Sequence, residues 1–240
     1  MKKATKDKRW WRVTKKFFLW LMLFQFVYII LLRWVNPPIT LTQLVSVIKG
    51  HGLKRDYVNY TDMSPQIKLA VMAGEDQLFP DHNGFDIKAI KLALKYNKKN
   101  PTKVRGASTI SQQVAKNVFL WQGGGYFRKG LETYFTFMIE TFWSKKRILE
   151  MYLNVAEMGE GIFGVQAAAK QFFQTNALSL TKLEAAQIAA ALPNPVKYTV
   201  KPLSTYVANR YPLLLQQMNN LATDDDVKQL LMVDGNKKIK

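Results

Sequence analysis

The chain has 240 residues, 48% of them hydrophobic, with no cysteine and a formal net charge of +18 from 35 Lys and Arg against 17 Asp and Glu. That length holds one domain with a real core plus an appendage, and the missing cysteines exclude a disulfide framework and a thiolate metal site. The charge calls for an anionic partner: nucleic acid, a membrane surface or a phosphorylated substrate.

Residues 17–32 run FFLWLMLFQFVYIILL, apolar except for Gln25. Extended through Arg33, Trp34 and Val35, the segment 17–35 is long enough to cross a bilayer as a helix. It is longer than the apolar run of a secretory signal peptide, and no small-x-small cleavage site follows, so a retained anchor is expected. Lys2, Lys3, Lys6, Lys8, Arg9, Arg12, Lys15 and Lys16 precede it and only Arg33 follows closely. The positive-inside rule then makes residues 1–16 a basic cytoplasmic tail and sends residues 36–240 across the membrane. Trp10, Trp11 and Trp34 fall near the two interfaces, where amphipathic rings concentrate. The tail also has a plain reading as a topology signal and nothing more. A domain outside the cytoplasmic membrane meets no nucleic acid, which leaves lipid headgroups or a lipid-linked phosphate as the anion.

Asn36-Pro37-Pro38 ends the anchor. Residues 36–63 are expected to be a short membrane-proximal linker, and residues 64–240 the main domain. Ser64-Pro65 supplies an N-cap with Pro at the first helical position, opening a helix to about Asp76. Asp86 caps a second helix, DIKAIKLALKYN, and the basic run from Lys98 to Ser108 is a mobile loop. The stretch STISQQVAKNVFL has helical period, with Ile110, Val114 and Val118 on one stripe and Thr109, Gln112, Gln113 and Lys116 on another. Gly123-Gly124-Gly125 breaks the chain before the helix RKGLETYFTFMIETFW, and Ser144 caps the next, KKRILEMYLNVAE. Gly159, Gly161 and Gly164 separate that helix from GVQAAAKQFF. Thr181 and Glu184 form a capping box before an Ala-rich helix stopped by Pro193 and Pro195. A last helix follows Ser204, and Pro212 should kink it or delay its start. No strand alternation or internal repeat stands out, so the expected fold class is all-α.

Glu75 and Asp76 sit side by side in a basic chain. Neighbours on a helix point about 100° apart, so the pair is not a dyad. Asp76 falls in line with Leu69 and Met72 and is expected to be partly buried and hydrogen-bonded; Glu75 falls at the edge of that face, towards a cleft. Either both are helix-end charges, which the macrodipole disfavours, or the placement marks a site. The stripe Thr109, Gln112, Gln113, Lys116, with Asn117 beside it, can bind hydroxyls and phosphate oxygens or can be a solvated face. Arg128 and Lys129 open a helix, where backbone N–H groups favour an anion. The pairing of Arg128 with Glu132 at i,i+4 is otherwise a surface ion pair worth ~0.3–0.5 kcal/mol. His51 and His82 are isolated, so no dedicated metal site is expected.

Five blocks taken together resemble the peptidoglycan glycosyltransferase family, the family 51 transglycosylases that polymerise lipid II. They are EDQLFPDHNGFD (75–86), GASTISQQVAKN (106–117), RKGLE (128–132), KKRILEMYLNVAEMGEGIFGVQAAAKQFF (145–173) and LTKLEAAQIAAALPNP (180–195). The single anchor makes the chain look like the monofunctional biosynthetic form. The resemblance implies a lysozyme-like, all-α domain with a small membrane-proximal jaw lobe. It implies Glu75 as catalytic base and Glu132 as second carboxylate. Lys116, Arg128 and Lys129 would bind pyrophosphate, and Ser108, Thr109, Gln112, Gln113 and Asn117 would contact substrate. Asp76, Phe79 and His82 would shape the first block. One departure stands out: many members carry an Arg shortly before the RKxxE block, and here Gly124 stands in its place, so the charge is either dispensable or supplied elsewhere, by Arg105 or Lys103.

The implied reaction is inverting β-1,4 transfer from a polyprenyl-pyrophosphate-linked glycan to the GlcNAc 4-hydroxyl of lipid II. No cofactor is required, and Mg²⁺ or Mn²⁺ is expected only as a stimulant. The implied partners are lipid II, the growing glycan strand, membrane lipids, and cell-division or cell-wall synthesis proteins; nucleic acid is excluded. Two other readings compete. A lytic transglycosylase or lysozyme-like hydrolase would need an acid for a sugar leaving group and has no use for Lys116, Arg128 and Lys129. A tethered lipid II-binding scaffold would tolerate loss of Glu75.

Overall fold

The computed structural model describes residues 3–101 and 106–232, with side chains from Trp10 onward. The chain divides into two units, Met1–Pro37 and Pro38–Lys240. The first is a single helix, α1 (Lys3–Leu31). Within it Trp10–Leu31, 22 residues, holds an 18-residue window of mean hydropathy 1.5, long and apolar enough to cross a membrane. The helix stops four residues short of the expected end at Val35. Beyond it Arg33 and Trp34 bond back to Ile30 and Leu31 in a turn. A cation lies over an indole at each end of the span: Lys15 Nζ is 4.9 Å from the Trp11 ring, and the Arg33 guanidinium 5.2 Å from the Trp34 ring.

The second unit is mostly helical. It comprises α2 (Leu41–Ile48), α3 (Pro65–Glu75), α4 (Ile87–Lys99), α5 (Ile110–Phe119), α6 (Tyr126–Phe142), α7 (Lys145–Val155), α8 (Val165–Phe173), α9 (Lys182–Ala191), α10 (Thr205–Leu221) and α11 (Asp225–Leu231). The helices begin where short polar side chains satisfy free N–H groups. Ser64, Asp86, Ser144, Thr181 and Ser204 all act as N-caps. Helix α10 runs from its Ser204 cap straight through Pro212, so its start is not delayed.

Two packing groups form the core. In one, α9 lies between α3 and α10; in the other, α5 lies against α6 and α7. Ala185, Ala186, Ala189, Ala190 and Ala191 of α9 are all fully buried. A helix apolar all round belongs inside a domain, and its methyl side chains let α3 and α10 approach closely. Ile110 and Val114 of α5 pack towards Ile148 and Leu149 of α7, all four fully buried.

A small sheet interrupts the helical pattern. Strands β1 (Lys54–Arg55), β2 (Glu157–Gly159) and β3 (Ile162–Phe163) lie in the order β1-β3-β2, with β1 parallel and β2 antiparallel to β3. Strands of two or three residues carry no alternation to read. The sheet draws residues 38–63 into the fold, although their mixed composition has the character of a connector. Helix α2 opens with a Thr40–Gln43 capping box. Arg55 Nη1 donates to Gln43 Oε1 at 3.1 Å. The Asn154 amide makes two bonds to the Val58 backbone, at 3.0 and 2.9 Å. Helix α11, capped by Asp224, is likewise not anticipated. Part of the loop expected to be mobile, residues 102–105, lies outside the described residues.

Candidate active site

Helix α3 ends on Glu75, and Asp76 leaves the helix with φ −166° and ψ 82°. The two carboxylates part company there. Asp76 is 8% exposed. It accepts His82 Nε2–H at 2.9 and 3.1 Å and the first N–H of α5, from Ile110, at 3.0 Å. His82 Nδ1 accepts the Gly84 N–H at 3.1 Å, which fixes the ring proton on Nε2. Phe79 is fully buried, edge-on to His82. Lys145 Nζ stands 4.6 Å over the Phe79 ring and bonds to the His82 carbonyl and, at 2.8 Å, to Glu140. Thr109 Oγ1 donates to the Gly84 carbonyl at 2.7 Å. Gly84 has φ +87°, and a Cβ there would meet Thr136 Cγ2 at 2.7 Å, so no other residue closes this turn. The first block is thus a frame, with Asp76, Phe79 and His82 inside it.

Glu75 faces the other way, into a cleft of about 640 Å³ that Ser108, Thr109, Gln113 and Arg210 also line. Among the described residues one hydrogen bond reaches its carboxylate, from Gln113 Nε2 to Oε2 at 2.8 Å. Burial raises its pKa above the ordinary carboxylate value. The Gln113 bond and the charges of Arg210 and Lys116 oppose the rise, and Asp76 adds to it. Arg210, on α10, is a neighbour that sequence patterns do not announce. It donates to the Gly74 carbonyl at 3.2 Å and to Tyr206 Oη at 2.9 Å, from 136 residues along the chain. No local pattern marks an Arg on a C-terminal helix as the neighbour of a distant carboxylate. Tyr152, on α7, is the other unanticipated neighbour: its hydroxyl donates to Gln113 Oε1 at 3.3 Å.

A second cluster is built on the first turns of α6. Glu132, 3% exposed, takes Arg128 Nη1–H on Oε2 at 2.7 Å and Lys129 Nζ on Oε1. This is a three-membered ion cluster around a buried carboxylate, with Lys129 half exposed, rather than a surface pair. Lys129 also reaches Ser108 Oγ at 3.5 Å. Arg128 Nε is buried with no hydrogen-bond partner among the described residues. Among the described residues no side chain caps α6 at Gly125, which leaves its first N–H groups open to an anion. Lys116, on α5, joins the two clusters. Its pKa is lowered, first by burial and then by Arg128 and Lys129, while Glu132 and Glu75 oppose the shift.

The polar stripe of α5 divides. Thr109 and Gln112, 2% and 3% exposed, hold each other in a capping box. Asn117 Oδ1 accepts from Gln122 Nε2, which also donates to Thr42. Gln113 lines both the main cleft and a second cavity of about 250 Å³, which Lys116, Thr42 and Tyr152 also line. The Gly124 position itself disfavours an Arg. Gly124 has φ +92°, and a Cβ there would lie 3.2 Å from both Arg128 Cβ and Trp121 Nε1. A side chain would be strained and would press on Arg128 itself. Arg105 and Lys103, the alternative sources of charge, lie outside the described residues. Among the described residues no group of three His, Asp or Glu side chains could hold a metal ion.

The transglycosylase family profile matches residues 42–219, a span that takes in both clusters and Arg210. The chain is 46% identical over 227 residues to a biosynthetic peptidoglycan transglycosylase of Pseudomonas entomophila (strain L48), covering 92% of this chain and 94% of that one. Another protein of that description, from Pseudomonas aeruginosa, is 46% identical over 221 residues, covering 90% and 95%. A third, from Mannheimia succiniciproducens, is 51% identical over 181 residues, covering 75% and 74%. With the lysozyme-like helical domain, the framed carboxylate and the cation cluster all inside the matched span, the chain belongs to the transglycosylase family.

Proposed function

We propose that this chain polymerises lipid II into linear glycan strands at the outer face of the cytoplasmic membrane. The observation that carries the reading is the pairing of a half-buried carboxylate, Glu75, with a cation cluster across Lys116. Glu75 takes the proton of the GlcNAc 4-hydroxyl as that oxygen attacks C1 of the donor sugar. The bond from C1 to the pyrophosphate oxygen breaks, the anomeric centre inverts, and a β-1,4 linkage forms. Charge developing on the departing pyrophosphate is offset by Lys116, Arg128 and Lys129 and by the free N–H groups of α6. Glu132 keeps the two cations of α6 in place. With both its oxygens engaged it makes a poor metal ligand, so a stimulatory Mg²⁺ or Mn²⁺ would enter with the pyrophosphate. The two cavities that Gln113 borders, the second also lined by Lys116, offer room for donor and acceptor.

The anchor gives the arrangement its logic, because both substrates are membrane lipids. The basic tail before the apolar span supports an N-terminus in the cytoplasm and a catalytic domain outside. Cell-division or cell-wall synthesis proteins are the partners such placement favours. A lytic reaction on finished glycan would leave the cation cluster without a task. Polymerisation of purified lipid II by the full-length chain, compared with release of fragments from intact sacculi, is the deciding measurement. Activity on sacculi alone would overturn the proposal.

A further inference from the structure

Tyr152 belongs to the helix KKRILEMYLNVAE, none of whose side chains takes part in the proposed transfer. It is 1% exposed, with only its edge on the second cavity, and its hydroxyl stands one side chain away from Glu75. Gln113 is the link. Its Nε2 donates to Glu75 Oε2 at 2.8 Å, and its Oε1 accepts the Tyr152 hydroxyl at 3.3 Å. The two ends of a Gln amide have nearly the same shape, so sterics do not choose between them; their partners do. An ionised carboxylate only accepts, and so requires the NH₂ end. A hydroxyl on the far side that donates holds the oxygen end there. Burial, and then the charge on Glu75, raise the Tyr152 pKa well above its ordinary value, which keeps the phenol protonated and able to donate.

We infer that Tyr152 is a positioning residue for the proposed transfer: it locks the Gln113 amide so that Nε2, rather than Oε1, faces Glu75. This rests on the reading of Glu75 as the base. The groups facing Glu75 are Asp76 beside it, Gln113 and Lys116 from α5, Arg210 from α10 and Tyr152 from α7. Of these, only Gln113 donates a hydrogen bond to its carboxylate among the described residues. Without the phenol the amide is free to rotate and spends part of its time with the oxygen towards Glu75. The ionised base then loses its donor, and its proton is held to a higher pH.

The test is the pH dependence of lipid II polymerisation by the full-length chain. Tyr152→Phe keeps the buried ring and removes only the hydroxyl. It should lower turnover at neutral pH by roughly 2- to 12-fold, the worth of one ordinary hydrogen bond. The acidic limb of the profile should move to higher pH, and the loss should shrink as pH rises. Gln113→Met leaves Tyr152 in place and should move the limb the same way, so the inference does not hang on one variant folding. In the Gln113→Met background, Tyr152→Phe should add nothing. A loss uniform across pH, or the same loss with and without Gln113, would show that Tyr152 serves packing alone and would overturn the inference. Glu75→Gln separates the two levels. If it keeps the acidic limb, the base assignment falls and the positioning role with it. If it abolishes the limb while Tyr152→Phe leaves the limb unmoved, only the positioning role falls.

Discussion

Glu75 and Glu132 are the same residue type in two opposite settings. Glu75 is half-buried, with a single neutral donor on its carboxylate among the described residues. Glu132 is buried with a cation on each oxygen. The first setting disfavours charge and leaves a lone pair facing a cleft. The second saturates the carboxylate and leaves nothing with which to take a proton. Environment rather than residue type assigns the roles, as it does wherever two carboxylates divide acid–base and electrostatic work. In the proposed transfer Lys116, in electrostatic reach of both, would mark the line between proton removal on one side and anion departure on the other.

The largest effect should come from removing the base. Glu75→Gln preserves shape and should lower turnover by ~10²–10⁴, the usual range for general base catalysis. The acidic limb of the wild-type profile should lie above the ordinary carboxylate range, because burial favours the protonated form of Glu75. Activity falls as pH drops through that raised pKa, and the limb should be missing from the variant. Near wild-type turnover with the limb intact would pass the assignment to another carboxylate.

Glu132→Gln should act differently in kind. It strands two cations, one of them Arg128, whose Nε is already without a hydrogen-bond partner among the described residues. We expect kcat/KM to fall roughly 10- to 100-fold, matching the ~1.5–3 kcal/mol of a hydrogen bond to a charged group. Part of the loss should appear in KM, and the acidic limb should stay where it was. A variant that lost only kcat, together with the limb, would make Glu132 the base instead.

The contrast between these carboxylates is partly legible in the amino-acid sequence. The 100° step between Glu75 and Asp76 places Asp76 inward and Glu75 towards a cleft, and the hydrogen bonds of Asp76 to His82 and Ile110 agree with that. Helix starts are legible too, since the chemistry of Ser64, Asp86 and Thr181 is local. What sequence patterns do not carry is long-range. Arg210 reaches the Glu75 turn through the Gly74 carbonyl, and Asn154 ties down Val58 from 96 residues away. The strand pair Lys54–Ile162 joins segments too short to show a period. Burial of Glu132 is hidden for a related reason: RKGLE has the spacing of a surface ion pair, and only the packing of α5 against α6 encloses it.

Arg210 gives a smaller test of the same contrast. Its charge helps keep Glu75 ionised. Arg210→Met should therefore move the acidic limb to higher pH and cost roughly 2- to 12-fold at neutral pH. A limb that stayed in place, with KM alone raised, would make Arg210 a substrate contact rather than a modulator of the base.

The smallest effect on turnover, and the clearest on stability, is expected at Lys68, two turns before Glu75 on the same helix. This ammonium is fully buried, with no hydrogen-bond partner among the described residues and the Tyr60 ring centroid 3.8 Å away. Its pKa is lowered to about 8, chiefly by burial and then by Lys146, with Glu150 and Asp62 opposing. Between that value and the ordinary 10.5 the unfolded chain holds a proton that the native chain releases. Stability therefore rises with pH across this window, and the full cost of the buried charge is present below it. Glu75 carries a similar cost at the cleft, where a proton can be transferred; Lys68 carries it inside the core. Lys68→Met should accordingly stabilise the chain by about 1–4 kcal/mol at neutral pH, as when buried ionic groups give way to apolar ones of similar volume. Urea unfolding of the full-length chain in detergent at pH 7 and pH 10 would measure it. The variant should gain most at pH 7 and show a flatter rise between the two, with polymerisation unchanged. Equal or lower stability at pH 7 would mean that the Tyr60 ring, with Asp62 and Glu150, already compensates the charge.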